Sequence, residues 1–88
     1  MNLDDNFNSA TDKVTKLPKR PQNDILLQLY ALYKQGNEGD VIGDRPSFAD
    51  FEGRAKVEAW NKIMGKSNDE AKQEYISLVE KLEQEAAG

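Results

Sequence analysis

One segment near the middle of the chain carries the clearest signs of both a helix and a binding site, and it reads Tyr30-Ala31-Leu32-Tyr33-Lys34-Gln35-Gly36-Asn37-Glu38-Gly39-Asp40. Tyr30 and Tyr33 are three residues apart and Tyr30 and Lys34 are four apart, so the three side chains are surface neighbours on a helix. Flat rings beside a lysine can hold a planar heterocycle that carries a phosphate. Gly36 tolerates the left-handed backbone that commonly ends a helix, so we expect the helix to stop there. The segment therefore predicts a nucleotide-shaped site at a helix end.

The composition predicts one helical domain spanning residues 1–88. A chain of 88 residues leaves little room for a second core. Hydrophobic residues make up 38% of the chain and charged residues 32%, so the chain is polar but not as depleted as a disordered one. An all-helical bundle suits this composition, because each helix needs only one apolar stripe.

The lack of cysteine and histidine excludes much of ordinary enzyme chemistry. Without either residue the chain has no disulfide, no thiolate and no Ser-His or Cys-His arrangement for nucleophilic catalysis. The acidic pairs Asp4-Asp5 and Glu83-Glu85 are typical of solvated helix ends rather than of a catalytic dyad. We therefore expect a binding protein that is not an enzyme and that uses no metal or cofactor.

The charge balance and the start of the chain bear on partners and location. A net charge of −4 disfavours a broad grip on nucleic acid or on an anionic membrane. An anionic ligand must then be held by a local group of lysines and arginines. The polar, acidic start contains no apolar run, so we expect neither a signal peptide nor a membrane anchor, and a cytoplasmic location.

Apolar residues recur at helical spacing in four segments, over about residues 4–16, 23–35, 49–63 and 68–84. Pro18 and Pro21 end the first segment, and Ser67-Asn-Asp-Glu70 is a capping box that begins the fourth. Residues 37–50 form a long irregular connection. Connections that are short, long and short predict a four-helix bundle in which two neighbouring helices can run parallel.

Each candidate side chain also has an ordinary structural interpretation. Tyrosines at helical spacing, such as Tyr30 and Tyr33, are most often core residues with the hydroxyl at the rim. Lys34 taken alone is most often a solvated surface lysine, and Trp60 is interpreted as core. However, Leu27, Tyr30 and Lys34 form a strip at the edge of the apolar arc, and the core alone does not explain that strip.

Short motifs follow one another in register, without gaps, from residue 7 to residue 79. They are Phe7 with Ala10 and Val14, Pro21, Leu26-Leu27, Tyr30-x-x-Tyr33-Lys34-Gln35, Gly39-Asp40, Arg45-Pro46, Asp50-Phe51, Ala55-Lys56, Ala59-Trp60, Gly65, Ser67, Ala71, and Tyr75-Ile76 with Val79. In this order they resemble the acyl-CoA-binding proteins, and the Tyr-x-x-Tyr-Lys-Gln run is the most specific of them. The resemblance implies an all-α, up-down-down-up four-helix bundle. Such a bundle would be a monomeric carrier and buffer that binds long-chain fatty acyl-CoA thioesters one to one, for acyl-CoA-using enzymes.

The resemblance also assigns contacts with the CoA headgroup to five residues. Tyr33 would stack on the adenine. Lys34 and Lys56 would contact the 3′-phosphate of the ribose, and Tyr30 and Tyr75 would donate hydroxyl hydrogen bonds around the phosphates. The resemblance therefore predicts a site shared between three helices.

In the same resemblance, Leu26 and Leu27 would line the groove for the acyl chain. Three other positions depart from the family pattern. Thr15 and Glu52 stand where many members carry lysine, and Val57 stands where a tryptophan is usual. The first two weaken the attraction for phosphate and the third removes apolar surface, so we expect lower affinity or an altered chain-length preference. The departures leave a second hypothesis open, a helical protein-interaction module whose ligand site is weakened or lost.

Overall fold

The computed structural model describes residues 2–39 and 51–87, apart from the side chains of residues 51–53 and 87. They form four α-helices, α1 (Leu3–Thr15), α2 (Asn23–Glu38), α3 (Phe51–Lys62) and α4 (Asn68–Ala87), and no residue in these two ranges lies in a strand. The all-α prediction is confirmed. Most of the predicted irregular connection, including Arg45-Pro46, lies outside the described residues, as does the Glu52 side chain.

Two ion pairs show that α1 and α4 run parallel. Near the start of both helices, Lys72 Nζ lies 2.6 Å from Asp4 Oδ1. Further along both, Lys13 Nζ lies 4.0 Å from Glu83 Oε1. Because the partners advance along the two helices together, the helices point the same way.

Contacts at opposite ends of α2 show that it runs antiparallel to α4. Near the end of α2, the Gln35 carbonyl accepts a hydrogen bond of 2.9 Å from Asn68 Nδ2 at the start of α4. Near the start of α2, Ile25 lines the same surface groove as Leu82 from the last part of α4. The end of one helix therefore meets the start of the other.

The third helix runs parallel to α2, which completes the topology. Lys56 lies over the ring of Tyr30, and one turn further along both helices Trp60 donates to the Gln35 side chain. With α1 up, α2 and α3 are down and α4 is up. This is the up-down-down-up order that the resemblance implies.

The core lies where α1, α2 and α4 meet. Its buried members come from the apolar stripes of these three helices, and they are Phe7, Ala10, Leu29, Leu32, Ala71, Tyr75 and Val79. Burying a large apolar side chain contributes about 1.5–3 kcal/mol, so these few residues supply much of the stability of so polar a chain. Trp60 is half-buried and does not belong to this cluster, so its prediction as a core residue was wrong.

The predicted end of α2 at Gly36 was also wrong. The helix continues to Glu38, and Gly39 carries the left-handed φ of +84° at the C-cap. Gly36 is buried inside the helix, where a Cβ would lie 3.1 Å from Cγ of Lys72 and 3.4 Å from Cζ of Phe7. Gly36 therefore provides a close approach between helices, and Gly39 provides the turn.

The start of α4 confirms half of the predicted capping box. Ser67 Oγ accepts a hydrogen bond of 3.1 Å from the backbone N–H of Glu70. The Glu70 carboxylate accepts from the Ser67 hydroxyl at 3.3 Å instead of reaching the Ser67 backbone. At the other end, α4 continues to Ala87, beyond the predicted end near residue 84, where we expected the tail to fray.

Candidate functional site

An aromatic cluster at the edge of the core joins α1, α2 and α4, and two of its rings, Phe7 and Tyr75, belong to the core. Tyr33 stacks on Phe7 with ring centroids 5.8 Å apart and an interplanar angle of 26°. Tyr75 meets Phe7 edge to face at 5.1 Å and lies 6.3 Å from Tyr33. Tyr33 is nevertheless 41% exposed, so one part of its ring rests on Phe7 while the rest faces outward. A planar ligand can stack on that free surface.

Tyr75 is a buried ring that carries a polar group. The residue is 5% exposed, and burial, with a smaller contribution from Tyr33, raises the pKa of its hydroxyl above the ordinary value. A tyrosine hydroxyl is protonated at neutral pH even without this shift, so it can donate a hydrogen bond to an anion. Among residues 2–39 and 51–87 the structure gives this hydroxyl no hydrogen-bond partner.

Lys56 from α3 lies over the ring of Tyr30 from α2, with Nζ 5.5 Å from the ring centroid. Lys56 is exposed and Tyr30 is half-buried. A cation over an aromatic face at an exposed site gains about 0.5–1 kcal/mol, which is enough to favour one position without fixing it. The ammonium is thus held across the α2–α3 boundary and stays accessible to an anion.

Lys34 is held more tightly than its sequence position alone predicts. Its Nζ donates to Glu38 Oε2 at 2.6 Å and lies 5.5 Å from the centroid of the Trp60 ring. The hydrogen bond to Glu38 raises the pKa of Lys34, and partial burial opposes that rise. The side chain is 29% exposed. Lys34 is therefore a cation placed by its neighbours rather than a freely solvated one.

The ring of Trp60 lies against the Lys34 ammonium, and its indole N–H links α3 to the end of α2 by hydrogen bonds. Its indole N–H lies 3.1 Å from Gln35 Oε1 and 2.9 Å from the Gly39 carbonyl, and it donates to both. The fully buried Gln35 in turn donates to the Lys66 carbonyl at 2.8 Å. The carbonyls at the end of a helix lack partners within the helix, and the indole N–H needs an acceptor. This shared need explains why Trp60 lies at the helix ends instead of in the core.

The two leucines predicted to line one groove separate in the structure. Leu27 lines a groove of about 550 Å³ between α2 and α3, together with the small side chains Ala31, Ala55 and Ala59. Leu26 instead packs against the main core. Consecutive residues on a helix point about 100° apart, so the two leucines meet different neighbours.

Lys72 is a neighbour of the aromatic cluster that the sequence reasoning missed. Its Nζ lies 5.8 Å from the centroid of the Phe7 ring and 2.6 Å from Asp4 Oδ1, and only 16% of the side chain is exposed. The signal was present, because Lys72 precedes Tyr75 by three residues and so shares its side of α4. No charge pattern in the sequence distinguishes it from the solvated lysines.

Two of the departures from the family pattern fall within the described residues. Thr15 Oγ1 donates to the Asp12 carbonyl at 2.7 Å, the local bond that a threonine often makes at a helix end. Val57 is 7% exposed, so the aliphatic side chain is buried in the place of the usual tryptophan. Neither position carries a cation.

The described part of the chain offers neither a metal site nor a membrane-spanning helix. Within residues 2–39 and 51–87, no group of three or more acidic or other metal-ligating side chains is placed to hold a metal ion. None of the helices there combines the length and apolar character needed to cross a membrane. The aromatic rings and lysines on α2 and on the helices that face it remain as candidate ligand-binding groups.

Four helices in this order, with rings and Lys34 on α2, Lys56 facing Tyr30 from α3 and a groove between these two helices, define a small ligand-binding helical bundle. The family described as Acyl CoA binding protein matches residues 4–79. The chain is 51% identical over 80 residues to an acyl-CoA-binding protein homolog of Drosophila melanogaster, covering 91% of this chain and 93% of the relative. The chain belongs to the acyl-CoA-binding protein family.

Further comparisons agree over nearly the full length. An acyl-CoA-binding protein of Saccharomyces cerevisiae is 43% identical over 76 residues, covering 86% of this chain and 87% of the relative. The crystal structure of Oryza sativa Acyl-CoA-Binding Protein 2 matches with a TM-score of 0.90 at 37% identity, covering 98% of this chain and 96% of that one. A crystal structure from Moniliophthora perniciosa gives 0.87 at 34% identity, covering 100% and 86%. The fold and the family therefore agree.

Proposed function

We propose that this protein binds long-chain fatty acyl-CoA thioesters one to one and serves as a carrier and buffer of them. The observation that carries the proposal is the outward-facing ring of Tyr33, stacked on Phe7. Lys34 follows it on α2, and Lys56 lies over the ring of Tyr30 one turn earlier on the same helix. A ring for the base and cations for the phosphates are what the CoA headgroup requires. The retained rings and cations favour ligand binding over the protein-interaction hypothesis.

In this proposal the headgroup residues divide the work by chemistry. Tyr33 stacks on the adenine, and Lys34 and Lys56 contact the 3′-phosphate of the ribose. Tyr30 and Tyr75 donate hydroxyl hydrogen bonds around the phosphates, since a tyrosine hydroxyl is protonated at neutral pH. Each lysine contact with a phosphate is worth about 1.5–3 kcal/mol.

The acyl chain follows the apolar surface beside the headgroup. The proposed surface includes both Leu26 and Leu27. Leu27 lines the α2–α3 groove with three alanines, and Leu26 is a partly buried residue that also packs against the core. Burial contributes about 0.8 kcal/mol per CH₂, less whatever the free chain already buries in a micelle or membrane. The headgroup therefore sets specificity for CoA, and the chain sets most of the affinity.

The remaining parts of the proposal concern what the protein does with its ligand. It holds the thioester without cleaving it, because the chain has no histidine or cysteine to act as base or nucleophile. It acts as a monomer in the cytoplasm and passes its ligand to acyl-CoA-using enzymes.

Calorimetric titration with palmitoyl-CoA, free CoA and palmitate tests the proposal. We expect palmitoyl-CoA to saturate at one equivalent. Free CoA should bind more weakly because it lacks the chain, and palmitate should bind more weakly because it lacks the headgroup. Repeating the titration at two temperatures separates weak binding from binding with a small enthalpy. Palmitate binding as tightly as palmitoyl-CoA, or no saturation at micromolar protein, would overturn the proposal.

A further inference from the structure

Glu38 forms an ion pair with Lys34, one of the two lysines proposed to bind the phosphate of the ligand. Its Oε2 accepts a hydrogen bond from Lys34 Nζ at 2.6 Å, within the range of a strong charge-assisted contact. The ammonium has three N–H donors, and Glu38 takes one of them and offsets the positive charge that would attract a phosphate. The free protein therefore already supplies an anion to this cation.

The two partners of this ion pair are not held equally. Lys34 is covered on one side by the Trp60 ring, with Nζ 5.5 Å from its centroid, and 29% of the lysine side chain is exposed. The Glu38 side chain is 52% exposed. When the pair separates, the carboxylate can swing into solvent while the ammonium keeps its support from the indole ring.

The helix itself gives Glu38 little reason to stay. Glu38 is the last residue of α2, where the helix macrodipole is negative and disfavours an anion. The last turn of α2, all of whose residues are described, has no basic side chain to offset that. Lys34, four residues earlier, is the cation that holds the carboxylate in the free protein.

We propose that Glu38 competes with the phosphate of the acyl-CoA ligand for Lys34. It pairs with this lysine in the free protein and leaves it when the ligand binds. The inference rests on the proposed function, in which Lys34 contacts the 3′-phosphate. Glu38 then lowers affinity twice, since the phosphate must compete with it for Lys34 and its charge remains close to an incoming dianion. The residue sets how tightly this chain holds acyl-CoA, and no family motif in the sequence includes it.

Glu38→Gln tests the inference, because it keeps the size of the side chain and removes its charge. We expect palmitoyl-CoA to bind about two- to tenfold more tightly to E38Q than to the wild type in a calorimetric titration. The matched control is Asp12→Asn, which also removes one negative charge and breaks an exposed i,i+4 ion pair, that of Asp12 with Lys16 on α1. D12N should bind with wild-type affinity.

Two further arms separate displacement of Glu38 from a general loss of negative charge. In a Lys34→Ala background the gain from Glu38→Gln should shrink, since its target cation is gone. With 3′-dephospho-palmitoyl-CoA the gain should shrink as well. An equal gain in D12N, in the Lys34→Ala background or with the dephospho ligand would overturn the inference.

The outcomes distinguish this inference from the proposed function on which it rests. If the wild type binds palmitoyl-CoA and E38Q gains nothing over D12N, Glu38 is not a competitor and the proposed function stands. If neither the wild type nor E38Q binds, the proposed function fails and the inference fails with it. Thermal unfolding of both variants checks that the fold is intact.

Discussion

The two lysines proposed to bind the phosphate are positioned by their own neighbours. Lys34 is held by Glu38 and by the ring of Trp60, and Lys56 lies over the ring of Tyr30. These contacts limit the rotamers of two long side chains, so less conformational entropy remains to be lost when a ligand arrives. Positioning of this kind matters most for lysine, which is otherwise a freely moving point charge.

Replacing either lysine should damage binding far more than folding. We expect Lys34→Ala and Lys56→Ala each to weaken palmitoyl-CoA binding by about 10- to 100-fold, since a charge-assisted contact is worth roughly 1.5–3 kcal/mol. Neither should lower the free energy of unfolding by more than about 1 kcal/mol, because exposed ion pairs and cation–π contacts contribute little. Calorimetric titration measures the change in affinity, and urea unfolding measures the change in the free energy of unfolding.

The exposed lysine Lys81 on α4 provides the control for this pair of variants. Lys81→Ala changes the net charge equally and should leave binding within about twofold of the wild type, since interactions between distant exposed charges are screened by salt. Losses of stability as large as the losses of binding would instead assign Lys34 and Lys56 a structural role.

At the scale of the element, the end of α2 shows what the sequence pattern predicts and what it does not. Helical spacing correctly placed Tyr30, Tyr33 and Lys34 on α2, because periodicity reports which residues share a face. It misplaced the helix end, since both Gly36 and Gly39 are compatible with a left-handed turn. Only the approach of Phe7 and Lys72 explains why Gly36 lies inside the helix. This contact is made by residues that are distant in sequence, so the sequence around Gly36 gives no sign of it.

The different roles of these two glycines can be measured. Gly39 has φ +84° and ψ −151°, a region that essentially only glycine adopts. We expect Gly39→Ala to lower the free energy of unfolding by about 1–3 kcal/mol. For Gly36→Ala a gain in helix propensity of about 1 kcal/mol opposes the close contact with Lys72, whose side chain can adjust, so the net change should be smaller. Urea unfolding of both variants gives the comparison, and a larger loss for Gly36→Ala would contradict these assignments.

At the scale of the molecule, the fold was more predictable from the sequence than the site. The stripes and connection lengths predict four helices, and the resemblance supplies their directions, which the contacts between the helices confirm. The pairing of Lys34 with Glu38 and of Lys72 with Asp4 was not predicted. Both depend on which of many rotamers a long charged side chain adopts, and a sequence pattern carries no information on that choice.

The charge distribution of the whole chain suits a carrier of an anionic ligand. The net charge of −4 gives the surface no general attraction for anions, so in the proposed function the ligand is held by the few cations beside the rings. Glu38 reduces even that local attraction in the free protein. A chain of this kind binds through a defined site and not through its overall field.

The most direct test of one-to-one binding without turnover is native mass spectrometry of the protein mixed with palmitoyl-CoA. At about 10 μM of each component, well above the dissociation constant expected for a chain-assisted contact, a single added palmitoyl-CoA of unchanged mass should dominate. That species should persist after prolonged incubation at neutral pH. Absence of the complex, or its replacement by free CoA and palmitate, would contradict the account of this protein as an acyl-CoA carrier.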